Sequence, residues 1–234
     1  MPEARVIQQM FAEVAPRYDR ANRLLSLGID RWWRRRTASV AGIKSGERVL
    51  DVCAGTGDLA IQLAGEGASV VGADFCLPMI QRADQKARGG SKPRFLVADA
   101  QTLPFATASF DLCTVAFGIR NVEDPVAALR EMARVVRPGG RVVVLEFCRP
   151  RVPVLASAYL FYFRRVLPRL GRWISGADND AYQYLPDSVM SFPERGEFLQ
   201  LMRQAGLDSP RQTILSGGIA AIYRGEVSRE AEEA

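Results

Sequence analysis

Short apolar runs alternate with amphipathic segments between Arg48 and Phe147. The apolar runs predict five strands: RVLDVCA at 48–54, SVVGAD at 69–74, RFLVAD at 94–99, FDLCTVAFG at 110–118 and RVVVLEF at 141–147. The segments between them predict helices: LAIQLAG at 59–65, PMIQRADQKARGG at 78–90 and DPVAALREMARVVRPGG at 124–140. Strands that are nearly all apolar and alternate with helices need cover on both faces. The pattern therefore predicts a doubly wound, mostly parallel α/β sheet.

The two flanks follow other patterns. The first forty residues mix apolar and aromatic positions with many arginines and are predicted to be helical. After Phe147 the alternation stops, and 151–191 forms an insert rich in aromatic residues and arginine. A helix at 193–206 then leads to two strands near 209–215 and 219–225, which are close enough to pair as an antiparallel hairpin. These two strands would complete a seven-stranded sheet.

The whole chain, 1–234, is predicted to form a single domain without internal repeats. Its expected parts are an N-terminal helical substrate cap (1–45), a cofactor-binding core (46–148), an insert or cap (151–191), a closing helix with two strands (192–226) and a frayed tail (227–234).

The amino-acid composition limits the catalytic groups that the chain can use. The chain has 234 residues, of which 48% are hydrophobic and 24% charged, as is usual for a globular protein. No apolar run is long enough to cross a bilayer, and the start MPEARVIQQM does not resemble a signal peptide, so we expect a cytoplasmic protein. The absence of histidine excludes Ser-His and Cys-His catalysis and His-ligated metals. Proton transfer must then use carboxylates, Tyr, Lys, Arg or water.

The cysteines indicate neither a metal site nor disulfides. They are scattered, form no CxxC pair and lie in or beside apolar runs. We expect them to be small buried hydrophobic residues in a reducing compartment. They are Cys53, Cys76, Cys113 and Cys148.

The net charge of +5 comes with two arginine clusters. The clusters are Arg31, Arg34, Arg35 and Arg36, and Arg164, Arg165, Arg169 and Arg172. A solvated basic face and attraction to an anionic membrane surface are both compatible with this charge. Nucleic acid is not an expected partner, because no binding motif accompanies the charge.

The clearest local motif is the turn after the first strand, VLDVCAGTGD at 49–58. Gly55 and Gly57, with Thr56 between them, allow the backbone to approach a ligand closely at the carboxyl edge of the sheet. With Ala60 the turn also satisfies the dinucleotide pattern G-x-G-x-x-A. A tight turn without a ligand is the alternative interpretation of the motif alone.

Carboxylates at the strand ends narrow the choice of ligand. Asp74 ends the second strand, where it can accept hydrogen bonds from both ribose hydroxyls. Asp99 ends the third strand, where its carboxylate or the neighbouring backbone of Ala100 can meet an adenine amino group. Asp51 lies inside the first strand and could organise a loop that receives a cation. Aspartates repel a pyrophosphate and suit a sulfonium with an amino group, so they favour S-adenosylmethionine over NAD.

Longer motifs carry a resemblance to a known family. The stretch FAEVAPRYD at 11–19 is followed by Asn22, by LSLG at 25–28 and by Trp33-Arg34. AFGIRN at 116–121, RVVRPGG at 134–140 and LEF at 145–147 complete the set. With these motifs the chain resembles the UbiE/MenG family of class I C-methyltransferases from about Met10 to Gly225. It departs at Asp30, where His is common, at Arg137, where Lys is usual, and at Cys148, where Ser is usual.

The resemblance implies S-adenosylmethionine as cofactor and a ring carbon beside a phenolic hydroxyl as the methyl acceptor. It implies cofactor contacts from Asp51, Gly55, Thr56, Gly57, Asp74, Asp99, Ala100 and Ala116. Ala116 lacks the hydroxyl that some members carry, so its contact would come from the backbone.

The catalytic candidates are Arg120, Asn121, Tyr18 and Asp19. Arg120 would stabilise a developing phenolate or polarise a water, because it stays protonated and is a poor base. Asn121 would orient that water or the substrate oxygen, Tyr18 would donate or accept a hydrogen bond, and Asp19 is a candidate base. Glu146 is a further candidate base. The alternative for Arg120 is an ion pair with Glu123 or Asp124, and the alternative for Tyr18 is helix packing with a solvated hydroxyl.

The implied partner is a membrane-resident prenylated quinol, foremost demethylmenaquinol. A ubiquinone precursor, 2-methoxy-6-polyprenyl-1,4-benzoquinol, is the alternative substrate. An NAD-dependent oxidoreductase and a quinone-binding scaffold without activity are more distant alternatives. The apolar and arginine-rich insert would either pack in the core or cap the site and touch the inner face of the membrane. A homodimer is a further expectation.

Overall fold

The structure is a computed structural model that describes residues 4–88, 93–166 and 181–229. The predicted N-terminal helices are confirmed over the described residues. They are α1 (Ala4–Val14), a 3-10 turn (Ala15–Arg17), α2 (Tyr18–Leu25) and α3 (Ile29–Ala41). The predicted frayed tail lies mostly outside the described residues.

The core alternates strands and helices as predicted. Its strands are β1 (Arg48–Val52), β2 (Ser69–Asp74), β3 (Arg94–Val97), β4 (Phe110–Ala116) and β5 (Val136–Phe147). Its helices are α4 (Asp58–Gly65), α5 (Leu77–Ala87), a 3-10 turn (Ile119–Asn121) and α6 (Pro125–Val135).

The C-terminal part also follows the predicted order. The insert contains α7 (Pro153–Phe161), a π-helical turn (Tyr162–Val166) and α8 (Ala181–Ser191). The closing elements are α9 (Gly196–Gln204), β6 (Leu207–Leu215), a 3-10 turn (Ser216–Gly218) and β7 (Ala220–Val227). Residues 167–180 of the insert, with Arg169 and Arg172, lie outside the described residues.

The strands form one seven-stranded sheet in the order β3-β2-β1-β4-β5-β7-β6. The first five are parallel, whereas β7 runs antiparallel to both β5 and β6. The strand order reverses between β1 and β4, and such a switch point opens a crevice at the carboxyl ends of the strands. The predicted α/β class and the closing hairpin are confirmed.

Helix α6 begins as its sequence predicts and ends earlier. The carboxylate of Asp124 accepts hydrogen bonds from the backbone N–H groups of Val126 and Ala127 at 2.9 and 3.0 Å, with Pro125 in the first turn. The prediction placed the end of this helix at Gly140, but β5 starts directly at Val136. Val136 pairs with Phe110 of β4, and the register shifts before Arg141 pairs with Leu112. The Pro-Gly-Gly segment is therefore an irregular part of the strand.

Apolar side chains cover the sheet on both faces. One cluster joins the sheet to α6 and α9 through residues such as Leu129, Met132 and Phe198. The other joins it to α3 and α4 through Trp33 and Leu63. Because the sheet is buried on both sides, its polar carboxyl edge is the natural place for a ligand.

Three of the four cysteines are buried, Cys53 is partly buried, and all four are free thiols. Within the described residues no helix is long and apolar enough to span a membrane. The same part of the chain contains no cluster of three or more Cys, Asp or Glu side chains that could hold a metal ion.

Candidate active site

The turn after β1 contains two glycines with left-handed backbone. Gly55 has a φ of 55° and Gly57 a φ of 78°, which residues with a Cβ seldom adopt. A Cβ on Gly57 would lie 2.7 Å from the ring of Phe95, so this glycine permits close packing of the turn against β3. A Cβ on Gly55 would meet no protein atom within 4 Å. Gly55 therefore leaves open space where the turn borders a cleft.

Asp74, the last residue of β2, is fixed to this turn. Its two carboxylate oxygens accept hydrogen bonds from the N–H groups of Gly55 at 2.8 Å and Cys76 at 2.9 Å. Burial raises the pKa of Asp74 to about 6, although both backbone hydrogen bonds oppose this rise. Each oxygen keeps a lone pair, so the carboxylate can also accept hydrogen bonds from the hydroxyl groups of a ligand in the cleft.

A narrow cleft of about 70 Å³ follows the carboxyl ends of β1, β2 and β4. Gly55, Asp74, Asp99, Ala100 and Ala116 line it, which brings together five of the predicted cofactor contacts. Apolar side chains supply much of the remaining wall. They are Phe11, Phe75, Met79 and Val122. The cleft offers apolar walls for a planar base and carboxylates for hydroxyl or amino groups.

A small polar recess of about 30 Å³ continues from the cleft, with Gly55 and Ala116 lining both. Asp51, Thr56 and Arg34 line the recess. Asp51 is buried and accepts a hydrogen bond from the hydroxyl of Thr114 at 2.7 Å. Burial raises its pKa to about 7, although Thr114 and the charge of Arg34 oppose this rise. A cationic group would shift Asp51 back toward its ionised form.

A larger cavity of about 650 Å³ lies beside the cleft. Residues of α2, α3, α7 and the α2–α3 loop form most of its wall, and seven aromatic side chains line it. These are Tyr18, Trp33, Phe117, Phe147, Tyr159, Tyr162 and Phe163. Tyr18 and Phe117 line both the cleft and the cavity. Phe117 has a φ of 59°, an unusual conformation for a residue with a Cβ that places its ring between the two spaces.

Arg120 lies at the wall of the large cavity and is almost fully buried. Its Nη1 donates a hydrogen bond to Glu146 at 2.9 Å and another to the carbonyl oxygen of Phe117. Its Nε lies 3.4 Å from the hydroxyl of Ser188. The predicted alternative of an ion pair with Glu123 or Asp124 is wrong, because Glu146 is the partner and Asp124 caps α6.

Asn121 and Tyr18 lie on the cleft side of the same wall. The amide oxygen of Asn121 accepts a hydrogen bond from the hydroxyl of Tyr184 at 3.1 Å. Tyr18 packs edge-on against Phe11 with ring centroids 6.1 Å apart. Burial raises the pKa of Tyr18, so its hydroxyl stays protonated and can donate a hydrogen bond.

Asp19 occupies a different position from the other catalytic candidates. Its carboxylate accepts hydrogen bonds from the hydroxyl of Thr56 and from Nζ of Lys86, the latter at 2.9 Å. It borders a polar groove with Arg23 and Asp58, and does not line the cleft or the large cavity. These contacts connect α2 to the glycine turn and to α5.

Comparisons with known proteins agree with this geometry. Residues 1–226 match the ubiE/COQ5 methyltransferase family. The chain belongs to this family.

Curated relatives cover nearly the whole chain. A protein of Bdellovibrio bacteriovorus named ubiquinone/menaquinone biosynthesis C-methyltransferase UbiE is 47% identical over 231 residues, covering 97% of each chain. A demethylmenaquinone methyltransferase of Thermus thermophilus is 50% identical over 220 residues, covering 93% of this chain and 99% of its own.

Solved structures support the fold alone. An S-adenosylmethionine-dependent methyltransferase of Thermotoga maritima superimposes with a TM-score of 0.66 at 19% identity, covering 95% of this chain and 100% of its own. The [4+2]-cyclase SpnF superimposes with a TM-score of 0.71 at 17% identity, covering 97% of each chain. The same fold therefore supports more than one chemistry, and the residues of the site determine which reaction a protein catalyses.

Membership of the methyltransferase family implies S-adenosylmethionine as cofactor, and the residues present fit it. Gly55 provides open space at the turn, and the cleft combines apolar walls with Asp74 and Asp99. Asp51 and Arg34 both line the recess. Asp51 can bind the ammonium of an amino acid group, and Arg34 can bind its carboxylate. The family assignment also removes the oxidoreductase alternative.

Several residues of the site could not be recognised from the sequence. Neither Arg34 in the recess nor Phe117 in the shared wall was a candidate, and Lys86 was not considered at all. The motif AFGIRN contained Phe117, and Trp33-Arg34 contained Arg34, but neither stretch shows which way a side chain points. Lys86 carried no sequence signal, because it meets Asp19 across 67 residues.

Proposed function

We propose that this methyltransferase transfers the methyl group of S-adenosylmethionine to a ring carbon of a prenylated quinol, foremost demethylmenaquinol. The observation that carries the proposal is the aromatic cavity of about 650 Å³, which shares Tyr18 and Phe117 with the cofactor cleft. Its volume and apolar lining suit a quinol ring with the first part of an isoprenoid tail. The name of the Thermus thermophilus relative supports demethylmenaquinol, and the name UbiE keeps the benzoquinol precursor as the second candidate.

Cofactor contacts follow from the position of each side chain. Asp74 accepts the ribose hydroxyls, and Asp99 with the backbone of Ala100 binds the adenine edge. Asp51, Thr56 and Arg34 hold the amino acid end in the recess. Gly55 allows the close approach, Gly57 shapes the turn from behind, and Ala116 closes the wall between cleft and recess.

When bound, S-adenosylmethionine supplies an electrophilic methyl group on a sulfonium. A quinol ring carbon becomes a strong nucleophile only as its neighbouring hydroxyl gives up its proton to a water. After the methyl group has been transferred, the same ring carbon loses its hydrogen as a proton to water, which restores the aromatic ring. Arg120 lines the cavity and stays positively charged, so it stabilises the negative charge that develops on that oxygen. Preorganised donors of this kind act strongly because they need no reorientation during the reaction.

Tyr18 and Asn121 position the acceptor ring. Both border the cleft next to Phe117, and Tyr18 also faces the cavity. The protonated Tyr18 hydroxyl donates a hydrogen bond, and the amide of Asn121, held by Tyr184, orients the quinol oxygen or a water. Asp19 was predicted as a base, but its contacts with Lys86 and Thr56 favour a role in holding α2 over the cofactor.

The insert supports peripheral contact with the inner face of the membrane. Phe161 on α7 is 65% exposed, and Leu27, at the rim of the large cavity, is 87% exposed. A prenyl tail could pass from the bilayer along these side chains into the cavity. If the whole insert touched the membrane, Phe163 would also be exposed, but it is buried beside Tyr159 and Phe147. Phe161 is therefore the aromatic residue of α7 that tests membrane contact.

The decisive experiment compares two quinols with the purified protein. Demethylmenaquinol and 2-methoxy-6-polyprenyl-1,4-benzoquinol with tails of equal length are incubated with labelled S-adenosylmethionine, and the products are identified by mass spectrometry. We expect methylation on a ring carbon of demethylmenaquinol with the higher kcat/KM. Preference for the benzoquinol would support the second substrate, and absence of transfer to either quinol would contradict the proposal. Sedimentation of the same sample tests the predicted homodimer.

A further inference from the structure

Arg120 and Glu146 form a buried ion pair beside the large cavity. Arg120 follows β4, Glu146 lies near the end of β5, and their side chains are 7% and 2% exposed. Nη1 of Arg120 and Oε1 of Glu146 are 2.9 Å apart. Burying two charges carries a desolvation cost, so such a pair is weak evidence for a stabilising role alone. The pair therefore calls for a functional reason.

One side of the Arg120 guanidinium group forms hydrogen bonds with the protein. Its Nη1 donates to both Glu146 and the carbonyl oxygen of Phe117. The opposite edge, formed by Nε and Nη2, has one contact within the described residues, the 3.4 Å approach of Nε to Ser188. The plane of the group is also supported by Phe147, whose ring centroid lies 5.4 Å from Cζ. Arg120 thus keeps a largely unused donor fork, and a planar fork suits an anionic oxygen.

Glu146 reaches the large cavity only through its neighbours. It does not line that cavity, and its Oε1 also accepts a hydrogen bond from its neighbour's N–H, that of Phe147, at 2.8 Å. Its other oxygen, Oε2, is buried without a hydrogen-bond partner in the described chain. Oε1 therefore accepts both of these hydrogen bonds, and the one from Nη1 of Arg120 is the contact that reaches the wall of the large cavity.

We propose that Glu146 is a positioning residue for methyl transfer, which fixes the guanidinium of Arg120 through Oε1 so that the Nε–Nη2 fork faces the quinol oxygen. The inference rests on the proposed function, because it requires Arg120 to stabilise that oxygen. Since Glu146 acts through Arg120, its removal affects the chemical step and leaves quinol binding nearly unchanged. For this positioning, the hydrogen-bond-accepting oxygen of Glu146 matters more than its negative charge.

The test uses variants of Glu146 in the full-length protein, assayed with demethylmenaquinol and S-adenosylmethionine. Glu146→Leu removes the acceptor, and a misplaced catalytic group lowers kcat by about ten- to hundredfold. KM for the quinol should change by less than about threefold. Glu146→Gln keeps an acceptor oxygen for Nη1 and should restore kcat to within about threefold of the unmodified enzyme, since the atom that replaces Oε2 displaces no hydrogen bond.

A control variant separates positioning from damage to the fold. Glu47 also forms an ion pair with an arginine of β5, Arg141, at 2.7 Å, and both side chains are largely buried. Arg141 precedes Glu146 on the same strand, and the pair lines none of the cavities of the site. Glu47→Leu should lower the melting temperature and leave kcat of the folded protein unchanged.

A double-mutant cycle supplies the decisive comparison. In an Arg120→Met background, Glu146→Gln and Glu146→Leu should cause no further loss of kcat, because the group that Glu146 positions is gone. Additive losses, an unchanged kcat in Glu146→Leu, or a Gln variant as slow as the Leu variant would each overturn the inference. An Arg120→Met single variant with normal kcat would instead contradict the proposed role of Arg120 itself.

Discussion

Nζ of Lys86 lies 2.9 Å from a carboxylate oxygen of Asp19, and this contact joins the predicted N-terminal cap to the predicted cofactor-binding core. Lys86 belongs to α5, whereas Asp19 belongs to α2, whose first residue, Tyr18, lines the cofactor cleft. The same Nζ lies 2.6 Å from Asp58 and 3.1 Å from the hydroxyl of Thr56. One ammonium group therefore holds the cap, the glycine turn and the start of α4 together over the cleft.

Removing this ammonium should loosen the cap. We expect Lys86→Met to weaken S-adenosylmethionine binding about three- to tenfold through faster dissociation, because a few hydrogen bonds to charged groups are lost at a partly exposed site. Stopped-flow dissociation with a fluorescent cofactor analogue measures the effect. Arg88→Met removes a positive charge at the end of the same helix and serves as the control. An unchanged dissociation rate in Lys86→Met would show that the cap is held by its apolar contacts.

Cofactor binding should depend on Asp74. Its carboxylate is placed by Gly55 and Cys76 with lone pairs left for ribose hydroxyls, and losing a charged acceptor costs about 1.5–3 kcal/mol. Asp74→Ala should therefore weaken S-adenosylmethionine affinity at least about tenfold in a calorimetric titration. Circular dichroism verifies that the variant remains folded. Equal affinity in the folded variant would refute the assignment of Asp74 to the ribose.

Affinity for S-adenosylmethionine should rise between about pH 5 and pH 8. Burial raises the pKa of Asp51 to about 7 and that of Asp74 to about 6, so both are partly protonated below neutral pH. The ionised Asp51 attracts a cationic group, and the ionised Asp74 is the stronger acceptor for hydroxyl groups, so affinity should fall as pH decreases through 7 and then 6. Burial of Asp51 sets the upper part of this range, because it outweighs Thr114 and Arg34, which favour the ionised form.

Calorimetry in buffers of different ionisation enthalpy would count the protons released on binding. We expect net release near pH 7, and its loss in Asp51→Asn, which cannot titrate. A pH-independent affinity in the unmodified protein would contradict the proposed contact between Asp51 and the cationic end of the cofactor.

Arg120 should act on the chemical step. Arg120→Met is expected to lower the single-turnover rate by about two orders of magnitude, as when one preorganised donor to a developing oxyanion is lost. Arg120→Lys should recover only part of the rate, because the ammonium keeps the charge without the planar fork. Cofactor affinity should stay within about threefold, since Arg120 lines the quinol cavity and not the cleft. A rate loss explained wholly by weaker cofactor binding would make Arg120 a structural residue.

Membrane contact should depend on Phe161. Its ring is 65% exposed on α7, so Phe161→Ser should reduce binding to anionic liposomes and turnover of long-tailed quinols. Turnover of a tail-less naphthoquinol should change little. Ile214→Ser alters another exposed apolar side chain, on β6, and is the control. Equal losses on both substrates would indicate damage to the packing of α7 instead.

The sequence predicts the frame of the molecule well because local pattern determines it. Every core strand follows its apolar run, and Asp51, Asp74 and Asp99 meet at one edge because parallel strands end on the same side. The exact end of α6 was missed, since β5 continues directly from it through the Pro-Gly-Gly segment.

Pairings between distant side chains could not be predicted in the same way. Arg120 and Glu146 are 26 residues apart, and the nearer carboxylates of Glu123 and Asp124 looked equally suitable. Choosing among them requires the direction of each side chain after the sheet has packed. The burial of Phe163 beside the exposed Phe161 depends likewise on how the insert turns against α2.

The wall formed by Tyr18 and Phe117 has a consequence for the order of events during turnover. The exposed Glu123 lines the cofactor cleft, whereas the exposed Leu27 and Ile29 line the aromatic cavity. If the proposed ligands occupy these two spaces, each has its own side of the wall. We then expect spent cofactor to exchange with the aqueous phase while a prenyl tail is still bound, so that the two products leave in no fixed order.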